Sequence, residues 1–263
     1  MLFSALIIAG CKEKEEDKTA PSIPPSSTFI LSAQDYSDTS NTLQKSFKAE
    51  VSDSNTDTYE NWLNAISNIT FWNLVVTVHA IVPVAAFKTS LEQQAEYLGN
   101  NKWEWSFSFY ANGTNHEAML TAKLSEQQVS WNMNIDDFTW YTGISQYDQS
   151  SGNWTLYKNP NTPYPFIKIT WSRYEDGTAD IKYLNITPDG YTENTNNGGY
   201  ITYGTTSNTT YDAYYEIYNA KDDKLINIQW NTANKNGKIK NNYYFDDDLW
   251  HCWDSQLADT TCY

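Results

Sequence analysis

Beyond Lys102 and nearly to its end, the chain alternates apolar and polar residues with a period of two. The first such stretch places aromatic side chains at every second position, at Trp103, Trp105, Phe107 and Phe109. An Asn-Gly pair follows directly, and Asn-Gly beside alternating stretches is the strongest short-range signal for a β-hairpin. This alternation is typical of strands that bury one face only. It constrains the fold more than any other feature of the sequence.

Turn signals recur between the later apolar stretches, as at Asp176-Gly177 and Asn236-Gly237. About ten strands joined mostly by hairpins predict an antiparallel meander, which must curl to bury its apolar face. The expected fold class is therefore mainly β with some helix (α+β). It is a curved β-meander, at its most closed a half-barrel, packed on an N-terminal helical segment.

The helical segment is predicted at about residues 57–98. Asp57 and Glu60 have the spacing of a capping box, in which an acceptor side chain precedes the first turn and a glutamate follows three residues later. Apolar residues then recur at three- and four-residue steps, as one buried helical stripe requires. Pro83 is expected to end or kink this helix, because proline inside a helix costs about 3 kcal/mol. A second short helix is expected to run to about Leu98.

The N-terminus carries a short apolar run, residues 2–9, which stops before a Gly-Cys pair. The run is far shorter than the roughly 20 residues that cross a bilayer, and it suits the apolar region of a secretory signal. The sequence Ile-Ala-Gly-Cys that ends at Cys11 resembles the lipobox of bacterial lipoproteins. This resemblance implies that residues 1–10 are a signal peptide removed by signal peptidase II, and that Cys11 carries a lipid.

Residues 11–27 are charged at first and then rich in proline and serine, so they are expected to form a flexible tether. The acidic residues that follow Cys11 resemble the export signal of lipoproteins of the Bacteroidota. The resemblance implies a protein that is anchored by its lipid to the outer membrane and exposed on the cell surface, with the periplasmic face as the alternative. Residues 28–263 are expected to form a single β-rich domain.

Two further cysteines lie near the C-terminus, Cys252 and Cys262, with nine residues between them. Export places them in an oxidising compartment, where such a pair most often forms a disulfide. The bridge would close a short loop and stabilise the fold by about 2–3 kcal/mol. Two free thiols in redox or metal chemistry are the alternative, although the spacing is not that of a Cys-x-x-Cys motif.

The chain has a formal net charge of −15. This acidity argues against a nucleic-acid binder, which is drawn to phosphate by basic residues. The histidines show no metal-binding or catalytic spacing: His79 lies in the apolar helical stretch, His116 follows a turn, and His251 lies beside three consecutive aspartates. Consecutive side chains point in different directions, so a solvated acidic turn is expected there rather than a cation site. No metal and no cofactor are expected.

The 11 tryptophans and 20 tyrosines must supply much of the core, and flat aromatic rings also stack on sugars. Four aromatic residues are candidate ligand contacts, with core packing as the alternative: Trp103, Trp105, Phe107 and Phe109. Tyr214 and Tyr218 fall at the same spacing, which is typical of core or cross-strand packing.

The sequence contains no serine-hydrolase, P-loop or dinucleotide-binding motif, which favours a protein that is not an enzyme. The whole plan, from lipobox and tether to the helix interrupted at Pro83 and the meander, resembles a group of uncharacterised lipoproteins of the Bacteroidota, which implies location and architecture. We therefore expect a non-catalytic binding or interaction module that holds a hydrophobic small molecule in its curved sheet. The alternatives are a surface glycan-binding lipoprotein and a polysaccharide hydrolase, whose two carboxylates are defined by their distance in space.

Overall fold

The structure is a computed structural model that describes residues 18–29, 58–191 and 196–262, with only the backbone at residues 73–79. Cys11 and Asp57 lie outside the described residues, as does the side chain of His79. Lipid attachment therefore stays a prediction. The capping box was wrong, because the helix begins at Glu60 with Tyr59 in the N-cap position, so Glu60 is the first helical residue and not the third.

Fourteen antiparallel strands in the described residues form one sheet, in which each strand pairs with its neighbours in the sequence. This is the predicted meander, and the mainly β fold class is confirmed. The strands are β1 (Glu96–Gly99), β2 (Lys102–Ala111), β3 (Thr114–Ser125), β4 (Gln128–Ile135), β5 (Phe138–Gln146), β6 (Ser151–Asn159), β7 (Thr162–Arg173), β8 (Ala179–Asn185), β9 (Tyr200–Thr205), β10 (Ala213–Asn219), β11 (Lys224–Trp230), β12 (Gly237–Lys240), β13 (His251–Trp253) and β14 (Asp259–Thr260). They outnumber the ten expected because the short strands near the ends of the sheet contain too few residues to show an alternation.

Strand β2 illustrates how alternation separates the two faces of the sheet. Four aromatic residues of β2 face inward and are at most 9% exposed: Trp103, Trp105, Phe107 and Phe109. Burying a large apolar side chain stabilises a fold by about 1.5–3 kcal/mol. The strand ends at Ala111, and the positive φ values of Asn112 and Gly113 make the predicted hairpin turn.

The helical segment forms one long helix, α1 (Glu60–Ser90). Of the two outcomes expected at Pro83, an end or a kink, the end was wrong, because α1 continues through Pro83. Proline removes one helical hydrogen bond, but Val82, Ala86 and Phe87 beside it are buried, so packing offsets the cost. A one-turn helix, α2 (Asn242–Phe245), follows β12. No helix in the described part of the chain is long and apolar enough to cross a membrane.

The second predicted helix, to about Leu98, was also wrong. Residues Glu96–Gly99 form β1, which pairs with β2. Gly99, Asn100 and Asn101 have φ values of 82°, 54° and 57° and make the turn between these strands. Glycine and asparagine tolerate this left-handed conformation better than other residues do. The Gly-Asn-Asn sequence therefore marks a hairpin rather than the end of a helix.

Helix α1 packs on the inner face of the sheet. It contacts strands near both edges of the sheet, β2 near one edge and β12–β14 at the other. Near the C-terminus of the helix, Phe87 stacks on Phe29 with 4.5 Å between ring centroids. Both rings meet Trp154 of β6 edge to face, and Tyr141 of β5 completes the group. The helix and the inner face of the sheet thus share one hydrophobic core.

Residues 18–29 pack against the rim of the sheet. Two of their prolines, Pro21 and Pro24, are buried. At the start of this segment, the backbone carbonyl oxygen of Lys18 accepts a hydrogen bond of 3.0 Å from the indole N–H of Trp103. The part of the predicted tether, residues 11–27, that the structure describes therefore lies against the domain.

The N-terminus of α1 is capped by a residue from the opposite end of the chain. Asp259 in β14 accepts hydrogen bonds from the backbone N–H groups of Glu60 (3.1 Å) and Asn61 (3.0 Å) and from the hydroxyl of Thr58 (2.6 Å). Asp259 lies in the loop between the two C-terminal cysteines. These are disulfide-bonded as predicted, Cys252–Cys262, with their Cα atoms 5.3 Å apart. The disulfide thus lies on the segment that holds the helix cap.

Candidate functional site

The four aromatic residues of β2 that were candidate ligand contacts lie in the core, where their position matches the packing alternative: Trp103, Trp105, Phe107 and Phe109. The ring of Trp105 lies 5.9 Å from that of Trp131 on β4. The two rings of Phe107 and Phe109 are 6.1 Å apart. These residues belong to the hydrophobic interior, and Phe107 also lines an open groove along β2, β3 and β4.

The three aspartates near His251 do not form a cluster around it. Asp247 alone of the three pairs with His251. The Nε2 of His251 lies 3.0 Å from an Oδ1 of Asp247, and its ring stacks on Phe245 with 3.7 Å between centroids. The hydrogen bond with His251 lowers the pKa of Asp247. Within residues 18–29, 58–191 and 196–262, no three His, Cys, Asp or Glu side chains converge as a metal ion would require.

An open groove of about 640 Å³ runs along β2, β3 and β4. Its acidic lining includes Glu117, Asp136 and Asp137. Asp136 lies 2.7 Å from the Nδ1 of His116, and this hydrogen bond lowers the pKa of Asp136. A glycosidase requires instead one carboxyl group with a raised pKa as its general acid. The pKa is lowered at each of these described aspartates: Asp136, Asp148, Asp176, Asp212 and Asp247.

The outer face of β8–β10, with the adjoining turns, carries tyrosines beside charged side chains. We call this group the tyrosine face: Tyr174, Tyr200, Tyr214 and Tyr218 with Asp180, Lys182, Glu216 and Asp223. The strand register brings them together, because Gly204 of β9 pairs with both Asp180 and Tyr214, and Tyr200 pairs with Tyr218. The alternate residues Ala213, Tyr215 and Ile217 point to the core and are buried. The tyrosines between them are therefore directed outward.

Tyr214 packs directly on the backbone of the neighbouring strand. A Cβ atom at Gly204 would lie 2.4 Å from the Cε1 of Tyr214 and 2.5 Å from its hydroxyl oxygen. Only glycine leaves room for the ring at this point. Burial against the strand, together with the charge of Asp180, raises the pKa of Tyr214.

Tyr200 is held in place from several sides. The Nζ of Lys182 lies 3.4 Å from its ring centroid, and its hydroxyl donates a hydrogen bond of 2.6 Å to Glu216. The ring of Tyr218 lies 5.5 Å away. Burial first, and then the bond to Glu216 and its charge, raise the pKa of Tyr200 to about 12. Tyr200 therefore remains a neutral hydrogen-bond donor at physiological pH.

Two more hydroxyls of the tyrosine face are bound to carboxylates. Tyr174 donates to Asp180, and Tyr218 donates to Asp223 over 2.9 Å. Each hydrogen bond raises the pKa of its tyrosine. These contacts restrain the rings, so they lose little conformational freedom when a ligand lies on them. A restrained aromatic surface flanked by carboxylates suits a ligand with apolar faces and hydroxyl donors.

The sequence alone predicts packing for Tyr214 and Tyr218, and Tyr218 does contact Tyr200 across the strands. Their outward direction could have been found from Glu216. Glu216 lies two residues from each of these tyrosines and therefore on the same face of β10, whereas Ala213 belongs to the alternate positions, which are apolar. A carboxylate in the same alternating set marks the solvent face of a strand.

Comparison of the chain with protein-family models, with curated proteins and with solved structures found no match.

Proposed function

We propose that this protein is a lipid-anchored, non-catalytic lipoprotein of the outer membrane whose tyrosine face binds glycan chains at the cell surface. The observation that carries the proposal is the partly exposed tyrosine face, in which the hydroxyls of Tyr174, Tyr200 and Tyr218 are each bonded to a carboxylate. Restrained rings offer a rigid surface on which sugar rings stack, and the carboxylates accept hydrogen bonds from sugar hydroxyls. The lipobox-like sequence at Cys11 supports the location.

A hydrophobic ligand inside the curved sheet has less support. A carrier of this kind needs apolar space that its own core does not occupy. The described inner face instead shares one core with α1, as the contacts of Phe87 with Tyr141 and Trp154 illustrate. A polysaccharide hydrolase has less support as well, because the hydrogen bond with His116 lowers the pKa of Asp136 in the groove, which is opposite to what a general acid requires.

The test of glycan binding is affinity electrophoresis in gels that contain neutral polysaccharides such as xylan, laminarin and dextran. At least one should retard the protein, and Tyr214→Ala should weaken that binding about tenfold or more, as loss of a central aromatic contact does. The matched control is Tyr243→Ala, because Tyr243 is 69% exposed on α2, outside the tyrosine face. The proposal fails if no polysaccharide retards the protein or if both variants lose binding equally.

The anchor is tested separately with Cys11→Ala in a bacterium that makes outer-membrane lipoproteins. The variant should lose a metabolically incorporated acyl label and appear in the soluble fraction. Cys252→Ala is the matched control and should keep both label and membrane association, because it changes a cysteine of the folded domain. Unchanged membrane fractionation of Cys11→Ala would contradict the anchor.

A further inference from the structure

A lysine held between two aromatic rings lies on the outer face of the sheet, beyond the tyrosine face. The Nζ of Lys238 on β12 is 4.8 Å from the ring centroid of Tyr211 and 4.4 Å from that of Trp250. Its side chain is directed outward, because Gly237 and Ile239 on either side of it are buried. Aromatic rings hold an ammonium group in place by cation–π attraction and do not neutralise its charge. Lys238 therefore presents a positioned positive charge.

Lys238 lies in the same cross-strand row as Tyr214 of the tyrosine face. Gln229 of β11 pairs with Tyr214 of β10 on one side and with Lys238 on the other. Neighbouring strands are about 4.8 Å apart, so the backbone of Lys238 is about 10 Å from that of Tyr214. Lys182 lies on β8, two strands from Tyr214 in the opposite direction, with its Nζ 3.4 Å from the ring centroid of Tyr200. Two ring-held ammonium groups thus flank Tyr214.

These two ammonium groups have no anionic partner in the described part of the chain. Lys224 of β11 and Lys240 of β12 each form an ion pair with an aspartate. Lys182 and Lys238 form neither an ion pair nor a hydrogen bond with any described residue. The carboxylates of the tyrosine face accept hydrogen bonds from tyrosine hydroxyls instead. An ammonium group has three donors and no acceptor, so both lysines can bind an anionic ligand.

We propose, on the basis of the glycan binding proposed above, that the site takes an acidic polysaccharide whose chain crosses the strands from β8 to β12. One sugar ring lies on Tyr214, and the anionic groups of the sugars on either side of it bind Lys182 and Lys238. The formal net charge of −15 repels polyanions at long range, so the binding depends on these two local contacts. The anionic group is a carboxylate or a sulfate, because an ammonium group binds either as a point charge.

Two matched pairs of saccharides test the proposal by titration calorimetry. Polygalacturonate fragments are compared with their methyl esters, and dextran sulfate with dextran, so that each pair differs in charge and shares one sugar chain. The protein should bind the charged member of at least one pair about tenfold more tightly, since charge-assisted hydrogen bonds are added. A preference in the first pair alone assigns a carboxylate, and a preference in the second alone assigns a sulfate. The preference should decrease between about 0.01 M and about 1 M salt, where the Debye length falls from about 30 Å to about 3 Å.

Substitution of the lysines separates their contacts from those of the tyrosines. Lys238→Met and Lys182→Met, which keep the apolar stem and remove the charge, should each reduce the preference about threefold or more and leave binding of the neutral member unchanged. Lys238→Arg, which keeps the charge, should retain the preference. The matched control is Lys123→Met, because Lys123 is an exposed lysine of β3, outside this row of strands, and it should retain the preference as well.

The outcomes distinguish this proposal from the proposed function. Equal affinity for the charged and neutral members of both pairs, still sensitive to Tyr214→Ala, would overturn the acidic ligand and leave glycan binding intact. A preference that survives both Lys238→Met and Lys182→Met would also overturn it. Binding of a charged member that Tyr214→Ala does not weaken would refute the tyrosine face and leave the lysine contacts standing. If no saccharide binds, both proposals fail.

Discussion

Removal of the cap that Asp259 provides should destabilise the whole domain. Its carboxylate accepts hydrogen bonds from two backbone N–H groups in the first turn of α1, at Glu60 and Asn61, and from the hydroxyl of Thr58. No residue of the helix itself supplies a side-chain cap, since the N-cap position is Tyr59. In Asp259→Ala the N–H groups of the first turn therefore lose their acceptor.

The size of the effect follows from these contacts. Loss of a helix N-cap costs about 0.5–2 kcal/mol. Loss of a negative charge beside the positive end of the helix dipole adds about 0.3–1 kcal/mol. Together they predict a decrease of about 2 kcal/mol in the free energy of unfolding. For a domain of this size that corresponds to a fall of about 4–8 °C in Tm. Asp259→Asn, which keeps an acceptor but not the charge, should lose about half as much.

Urea denaturation followed by tryptophan fluorescence measures this loss, with Tm from circular dichroism as a second measurement. Asp248→Ala is the matched control, because Asp248 is an exposed aspartate of the same C-terminal region, paired only with Lys240 at 2.8 Å among the described ion pairs. Its cost should stay below about 0.5 kcal/mol. A loss for Asp259→Ala no larger than that of the control would refute the assignment of Asp259 as the helix cap.

Three further changes test other parts of the fold. Asp136→Asn should cost about 1 kcal/mol at pH 7, a modest loss because Asp136 is half exposed. The hydrogen bond with His116 lowers the pKa of Asp136 below 3.8 in the folded protein. The stabilisation is therefore present above that pH and is lost as the pH falls through the lowered pKa. A difference in unfolding free energy between the wild type and Asp136→Asn that persists at about pH 2 would contradict this. Gly143→Ala should cost about 1–3 kcal/mol, because the new Cβ would lie 2.2 Å from the buried ring of Trp154, and a wild-type Tm would disprove this contact. Cys262→Ser should lower unfolding free energy by about 2–3 kcal/mol and remove the effect of reductant on stability, whereas an unchanged denaturation midpoint would argue against the bridge.

The sheet could be predicted from the sequence because its determinants are local. Alternation in β2 and the Asn-Gly turn after it lie within a dozen residues, and each strand pairs with the next one along the chain. The helix was harder to predict at Pro83 because local propensity gives the cost of proline but not the packing of Phe87 that offsets it. The helix cap could not be predicted, since Asp259 lies 199 residues from Glu60.

The tyrosine face was predictable only in part. The spacing of Tyr214, Glu216 and Tyr218 assigns all three to one face of β10, and the carboxylate indicates which face is outward. Tyr200 and Asp180 lie beside these residues only because β8, β9 and β10 pair in one register. The sequence pattern does not fix the lengths of the loops between these strands.

The strand order leaves two edges in the described sheet, β1 and β14, and both are poor templates for another chain. β14 is two residues long, and its Asp259 is already committed to the helix cap. β1 is four residues long, and its register with β2 is interrupted between Tyr97 and Gly99. Short or irregular edges suppress intermolecular strand pairing. A protein built on so extended a meander can therefore reach a high local concentration without its sheets joining into aggregates.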